Sequence, residues 1–393
     1  MTDRSDVPSD ESGHPPTGMH AGRGALLRWF VSSATLNVPQ AASPVAFALL
    51  TLSLTGDASG GAALILVMTV AQVLGAVPIT RMGRTLPAAR YLQILIAIRT
   101  LALVLMAMLA VSGIPFAWLF VCAAVAGSVN GAAFGYLRSI LNSLTTTSGL
   151  PRALGIAATL GEVTFVLSPV IASGLGSISP VFAILALAAL GAVPVVLVPH
   201  VASVHGEKVQ PAKTSVLTPA VALWLLCATV GGAVVAAIEI GAVALALAFG
   251  NEPALAIMFT VPLCIASISG GIWVSVFNRS LSRPAVVILL MMMAAGATLA
   301  ASGLSLATTI AGAVVIGSVI APLGTYYSLT LDTLVPPEKR AEVFALLRTG
   351  NAVGVIFASS VLTAFSITAA LGAVAAAMFA TALLVAAASL PRR

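Results

Sequence analysis

Charge is what this chain has least of. Asp, Glu, Lys and Arg together make up 8% of its 393 residues, against roughly 25% in ordinary soluble domains. With 59% hydrophobic residues, too little polar surface exists to face water on all sides, so a soluble globule is excluded. Cysteine is almost absent. Cys122, Cys227 and Cys264 lie inside apolar stretches without C-x-x-C spacing, which excludes a disulfide framework and a zinc site and leaves them as small packed hydrophobes. The histidines are His14, His20, His200 and His205, near the start or the middle of the chain. None pairs with a buried nucleophile, so no catalytic set is visible. No G-x-x-x-x-G-K-[ST] run occurs, which removes an ATPase loop. No basic start leads into an apolar core and a cleavage site, as a signal peptide would. No cofactor, no metal and no enzymatic activity are expected.

What is present is apolar sequence in long runs. A bilayer core needs about 20 apolar residues per helix. Twelve such runs can be drawn, at about 28–53, 61–80, 91–112, 115–137, 153–175, 179–200, 217–248, 254–277, 285–303, 306–331, 345–365 and 369–390. The predicted fold is an all-α integral membrane protein of twelve spans in two six-helix pseudo-repeats. Residues 1–27 read as a disordered tail, rich in Pro, Gly, Ser and Asp. Residues 28–200 form the first bundle and 217–393 the second. Residues 201–216, with Glu207, Lys208 and Lys213, form the loop between them.

The net charge of +6 marks orientation rather than nucleic-acid binding. With the N-terminus inside, the inner loops hold Arg81, Arg84, Arg90, Arg138, Arg152, Lys208, Lys213, Arg279, Arg283, Lys339 and Arg340. The tails add Arg4, Arg23, Arg28, Arg392 and Arg393. The outer loops hold only Asp57 and Glu252. An error of one span would reverse this bias in every later loop, so the positive-inside rule supports twelve spans with both termini cytoplasmic. The halves also echo one another. Leu141-Asn142-Ser143-Leu144 matches Leu331-Asp332-Thr333-Leu334, and each leads into an Arg-Ala pair, Arg152-Ala153 and Arg340-Ala341. Two parallel six-helix repeats are a transporter architecture.

The turn after the second span, Thr80-Arg81-Met82-Gly83-Arg84-Thr85, keeps three residues of the pattern G-x-x-x-D-R-x-G-R-[RK]. Thr80 replaces its acid, Thr85 its last base, and Gly75 is one place out of register. Gly155 and Pro169 keep the spacing of a fifth-span G-x8-G-x3-G-P pattern, with Thr164 and Ser168 in place of two glycines. With the 6+6 division, these features resemble the major facilitator superfamily. Three further stretches, 160–169, 237–244 and 334–340, are similar to its actinobacterial drug- and metabolite-efflux members. The resemblance implies alternating access, with Arg81, Gly83 and Arg84 as a latch closing the cytoplasmic side. It also implies that the first, fourth, seventh and tenth spans line the cavity. An arginine common in the fourth span of drug antiporters would fall near Ala123 and is absent.

The few charges inside the spans carry the chemistry. A mid-bilayer charge costs about 2.5–3.5 kcal/mol on insertion scales. Glu162 lies about ten residues into the fifth span, about 15 Å deep at 1.5 Å per residue, and Glu239 has a similar depth in the seventh. Each can carry a proton or bind substrate. Otherwise Glu162 pairs with a cation and Glu239 serves as a gate or packing hydrogen bond. Arg99 in the third span is a candidate partner for Glu162. Arg348, early in the eleventh, either faces headgroups or forms a gate with Asp332 or Glu342. Asn37, Gln40, Asn130, Tyr326, Tyr327 and Asn351 could line the cavity or join helices by hydrogen bonds. Gly127, Gly131 and Gly135 repeat at a spacing that lets helices approach closely. Pro39 and Pro44 predict a kink in the first span.

These residues predict a monomeric proton-coupled exporter of small hydrophobic drugs or metabolites in a bacterial cytoplasmic membrane. Its partners are the lipid bilayer, the substrate and protons, with no nucleic acid. Two other readings stand beside it, a proton symporter for nutrient uptake and a membrane enzyme or sensor that transports nothing.

Overall fold

Inside a bilayer no water satisfies backbone N–H and C=O groups, so an apolar run must pair them within itself as a helix. The computed structural model describes residues 22–56, 59–113, 115–199, 215–278 and 281–389. The described chain runs α1 (Arg23–Thr55), α2 (Ser59–Met82), α3 (Ala88–Val111), α4 (Ala117–Ser128), α5 (Asn130–Leu144), α6 (Leu150–Ile178) and α7 (Pro180–Leu197). It continues as α8 (Pro219–Ala248), α9 (Ile257–Phe277), α10 (Arg283–Ala301), α11 (Leu306–Leu334), α12 (Arg340–Ala364) and α13 (Ile367–Ser389). Helices α4 and α5 form one span interrupted at Val129. Among the described residues, twelve spans are long and apolar enough to cross a membrane and no strand occurs. Residues 1–21 and 201–214, with Arg4, Lys208 and Lys213, lie outside the described residues, as do Asp57, Arg279, Arg392, Arg393 and the four histidines.

Local chemistry sets the helix ends. Thr218 accepts from the Val221 N–H at 3.3 Å at the start of α8. Ser305 and Thr308 cap α11 reciprocally. Proline opens α6, α7, α8 and α10, where its missing N–H costs nothing. The orphan carbonyls ending α7 are taken up from outside the helix. Arg28 donates to those of Val196 and Leu197, and Gln93 to that of Val195.

The apolar core divides along the chain. One cluster draws on residues from Val216 to Val385, and two others belong to the first six spans, where Ala341 and Leu329 of the second half join them. Leu74, Leu101, Val111, Ile178 and Val276 point outward and exposed. This arrangement would be costly in water but matches a hydrocarbon surround. Small residues bring backbones together. A Cβ on Gly127 would strike the Met68 carbonyl, and one on Gly131 would crowd Ala76, both on α2.

Two expectations about position need correction. The fourth span reaches Leu144, so Arg138 is no loop residue. It sits in α5 at 4% exposure, its guanidinium 4.4 Å over the Phe344 ring and donating to Asn142 at 2.8 Å. Residue Arg348 does not face headgroups. It turns inward to side chains of α1.

Candidate functional site

The end of the bundle that carries the basic residues is closed by three clasps between the halves. In the first, the carbonyls ending α2 fix the turn that follows. Tyr91 donates to the Ile79 carbonyl at 2.6 Å and Tyr136 to that of Thr80 at 2.9 Å. A Cβ on Gly83 would strike both rings, so only glycine fits beneath them. So held, Arg81 donates to Glu342 of α12 at 2.7 Å and Arg84 donates to its other oxygen. The carboxylate is 2% exposed, while Arg81 and Arg84 remain 55% and 38% exposed. In the second clasp, Asn142 of α5 donates to Asp332 of α11, which also ion-pairs with Arg340 at 2.9 Å. In the third, Asn278 sits past the end of α9 with φ 47°, a left-handed conformation that Asn tolerates. It accepts from the Arg152 N–H at 2.9 Å and donates to the Ser148 carbonyl at 2.8 Å. Beside these clasps the backbones touch, since a Cβ on Gly135 of α5 would land on the Ala341 carbonyl of α12.

Deeper in, a polar cluster ties five spans of the first half. Arg99, 3% exposed, donates to the Leu36 carbonyl at 2.9 Å, the Gly191 carbonyl at 2.9 Å and Asn130 Oδ1 at 3.2 Å. Asn130 follows the break between α4 and α5. It donates to Gln40 at 2.5 Å and to Gln72 at 2.9 Å. The chain of contacts continues across the interface, where Arg348 of α12 donates to the same Gln40 oxygen at 2.7 Å and to Asn37 at 3.3 Å. The Arg348 guanidinium also stands 5.4 Å over the Phe134 ring.

Above this cluster lies a cavity of about 320 Å³, lined by Glu162, Glu239, Gln40, Tyr327, Arg348 and Asn351 among mostly apolar groups. A second lobe of about 220 Å³ shares Glu162 and Gly324 with it and is lined by Asn37, Phe134 and Arg138. Glu162 is half-buried and Glu239 exposed. Neither has a hydrogen-bond or ion-pair partner among the described residues. The Ser267 hydroxyl approaches Glu162 without reaching hydrogen-bonding geometry.

The model of the Major Facilitator Superfamily matches residues 29–359. The chain belongs to this superfamily. No curated protein matches the sequence significantly. Solved superfamily-like structures share the fold at low identity. A bacterial homologue of the iron transporter ferroportin, in an outward-facing state, has a TM-score of 0.74 at 14% identity, over 92% of this chain and 96% of that one. The E. coli fucose:proton symporter FucP has a TM-score of 0.73 at 11% identity, over 93% and 98%. The human organic anion transporter MFSD10 (TETRAN) has 0.68 at 13%, over 94% and 100%. At such identities the likeness concerns the fold.

Within this major facilitator frame, the residues singled out from sequence divide into three groups. Glu162, Glu239, Arg348, Asn351, Gln40 and Tyr327 meet in one cavity, and Asn37 joins its second lobe. Arg81 and Arg84 meet Glu342 rather than an acid in their own turn, and Gly83 packs beneath Tyr91 and Tyr136. Arg99, Asn130 and Tyr326 fall elsewhere. Arg99 does not pair with Glu162, because backbone carbonyls and Asn130 take its donors. Tyr326 packs edge-on against Trp224, ring centres 5.1 Å apart, in the apolar core. Arg348 forms no gate with Asp332 or Glu342, since Arg340 and the Arg81/Arg84 pair hold those acids. Sequence reasoning missed Phe134, Gln72 and the role of Asn142. Gln72 carried a signal as a polar residue deep in an apolar span. Phe134 carried none.

Proposed function

We propose that this major facilitator protein exports small, largely hydrophobic compounds in exchange for protons across a bacterial cytoplasmic membrane. The observation that carries the reading is the pair of carboxylates, Glu162 and Glu239, without partners in a mainly apolar cavity. A carboxylate within a membrane span without a cation is costly when charged. Proton or substrate can relieve that cost, and competition between the two couples their movements. The basic end, with both termini, is assigned to the cytoplasm by the positive-inside rule. The clasps then close the inner side, and the cavity faces outward. Residues 28–200 and 217–393 rock as two bundles. Release of Glu342 from Arg81 and Arg84 opens the inner side.

The test is proton movement in proteoliposomes holding a pH-sensitive dye, with hydrophobic cations, neutral drugs and polar nutrients added in turn. Substrate-triggered proton flux against the direction of substrate, lost in Glu162→Gln or Glu239→Gln, supports antiport. Flux in the same direction as substrate makes the chain a symporter. Substrate movement with no proton flux, or full coupling in both variants, removes the assignment of these acids.

A further inference from the structure

The charges lining the cavity are of both signs, yet none neutralises another. Glu162 and Glu239 have no ion-pair partner among the described residues. Arg348 meets only the neutral oxygens of Asn37 and Gln40 and the face of Phe134. Its Nε and Nη1 have no protein partner among the described residues. A guanidinium facing only dipoles in a mostly apolar cavity is incompletely compensated, and its free fork suits a carboxylate or another oxyanion.

Helix register gives the separation of the two signs. A Cβ on Gly350 of α12 would meet Thr229 of α8, one on Gly354 would meet Thr229 and Ala233, and one on Gly232 would meet Asn351. The two helices therefore run parallel, with 350–354 level with 229–233. Glu239 lies beyond that level and Arg348 before it. At 1.5 Å per residue their backbones stand roughly 15–20 Å apart along the bundle. The wall between them is mostly apolar, with Ala228, Val235, Met293, Leu323 and Val355, and carries Asn351 as a polar group part-way along.

We infer that the cavity takes an elongated amphoteric molecule, with a protonated amine at its Glu239 end, an anionic group on Arg348 and an apolar body between. This refines the substrate class and rests on the cavity being the transport site. A hydrophobic cation alone would leave Arg348 uncompensated, and a hydrophobic anion alone would face two acids.

The test uses the full chain in lipid nanodiscs, with empty discs as the blank, and measures binding by calorimetry. The probes are straight-chain carboxylates with a terminal amine (aminobutanoate, aminooctanoate and aminododecanoate), with dodecylamine and dodecanoate as single-charge controls. Aminododecanoate should bind at least tenfold more tightly than aminobutanoate or either control. Arg348→Gln should reduce it to the affinity of dodecylamine and leave dodecylamine unchanged, and Arg348→Lys should restore part of the loss. Glu239→Gln should weaken the amines and spare dodecanoate. Unchanged thermal unfolding shows that the variants are folded. The inference is overturned if dodecylamine binds as tightly as aminododecanoate, if Arg348→Gln leaves aminododecanoate unaffected, or if aminododecanoate does not bind at millimolar concentration. Proton-coupled export of simple cations alongside any of these results would keep the antiport reading while removing this one.

Discussion

The clasp at Glu342 yields a prediction whose size depends on which partner is removed. The carboxylate is 2% exposed, and its arginines are 55% and 38% exposed. Glu342→Gln leaves behind two cations already in contact with solvent. The loss is then that of charge-assisted hydrogen bonds weakened by screening, about 1–2 kcal/mol. Replacing Arg81 and Arg84 together by Gln leaves a carboxylate buried and unpaired, a change that typically costs about 3–5 kcal/mol. That cost exists only while the basic end is closed, because opening returns Glu342 to water. The first variant should shift the closed-to-open ratio by about 5–30-fold. The double variant should shift it a hundredfold or more, at about 1.4 kcal/mol per factor of ten. Spin labels at Arg90→Cys and Arg283→Cys, both exposed on opposite halves, would report the separation, with the three native cysteines replaced. The long-distance population should grow in the order wild type, Glu342→Gln, Arg81→Gln with Arg84→Gln. A double variant that opens no more than Glu342→Gln would refute the argument from burial.

Three further outcomes follow from the same geometry. Arg99→Met strands the Leu36 and Gly191 carbonyls and Asn130, at about 1–3 kcal/mol for each buried group left unsatisfied; thermal unfolding in detergent should fall clearly, with partial recovery in Arg99→Lys, and an unchanged midpoint would contradict the bracing role. Gly135→Ala should push the halves apart at the basic end and lengthen the label distance. Gly354→Ala, whose Cβ would strike the Thr229 carbonyl inside the second half, should lower thermal stability without moving the labels. Raising salt from about 0.05 to 0.5 M should lengthen the label distance in wild type, because the Debye length shrinks below about 10 Å past 0.1 M and the arginines of the clasp are exposed. The same change should move the distance less in Glu342→Gln, whose clasp no longer holds an ion pair for salt to screen.

Composition and charge order determined most of the architecture. A chain with 8% charged residues has only helices or a closed barrel open to it in a bilayer, and runs of about 20 apolar residues choose helices. The polar residues inside those runs were legible as candidates for the same reason, since each is expensive where it stands. Glu162 and Glu239 could thus be singled out as candidates before their neighbours were known. What the sequence could not supply was pairing. Sequence separation does not encode which side chain meets which across the chain, so Glu162 stood as a candidate partner for Arg99, and Arg348 stayed open between headgroups and a gate with Asp332 or Glu342, where the structure pairs them with other groups. Glu342 drew notice only as a possible partner for Arg348, yet it holds Arg81 and Arg84 from more than 250 residues away. One repeat signal did anticipate a contact. Asn142 and Asp332 stand at matching places in the two halves and hydrogen-bond to each other, as residues near a pseudo-twofold axis can, because each lies beside its own equivalent. Apolar periodicity and charge act locally and are written along the chain. The clasp, the bracing of Arg99 and the separation of charges in the cavity depend on which helices come to lie together, and only the tertiary structure decided that.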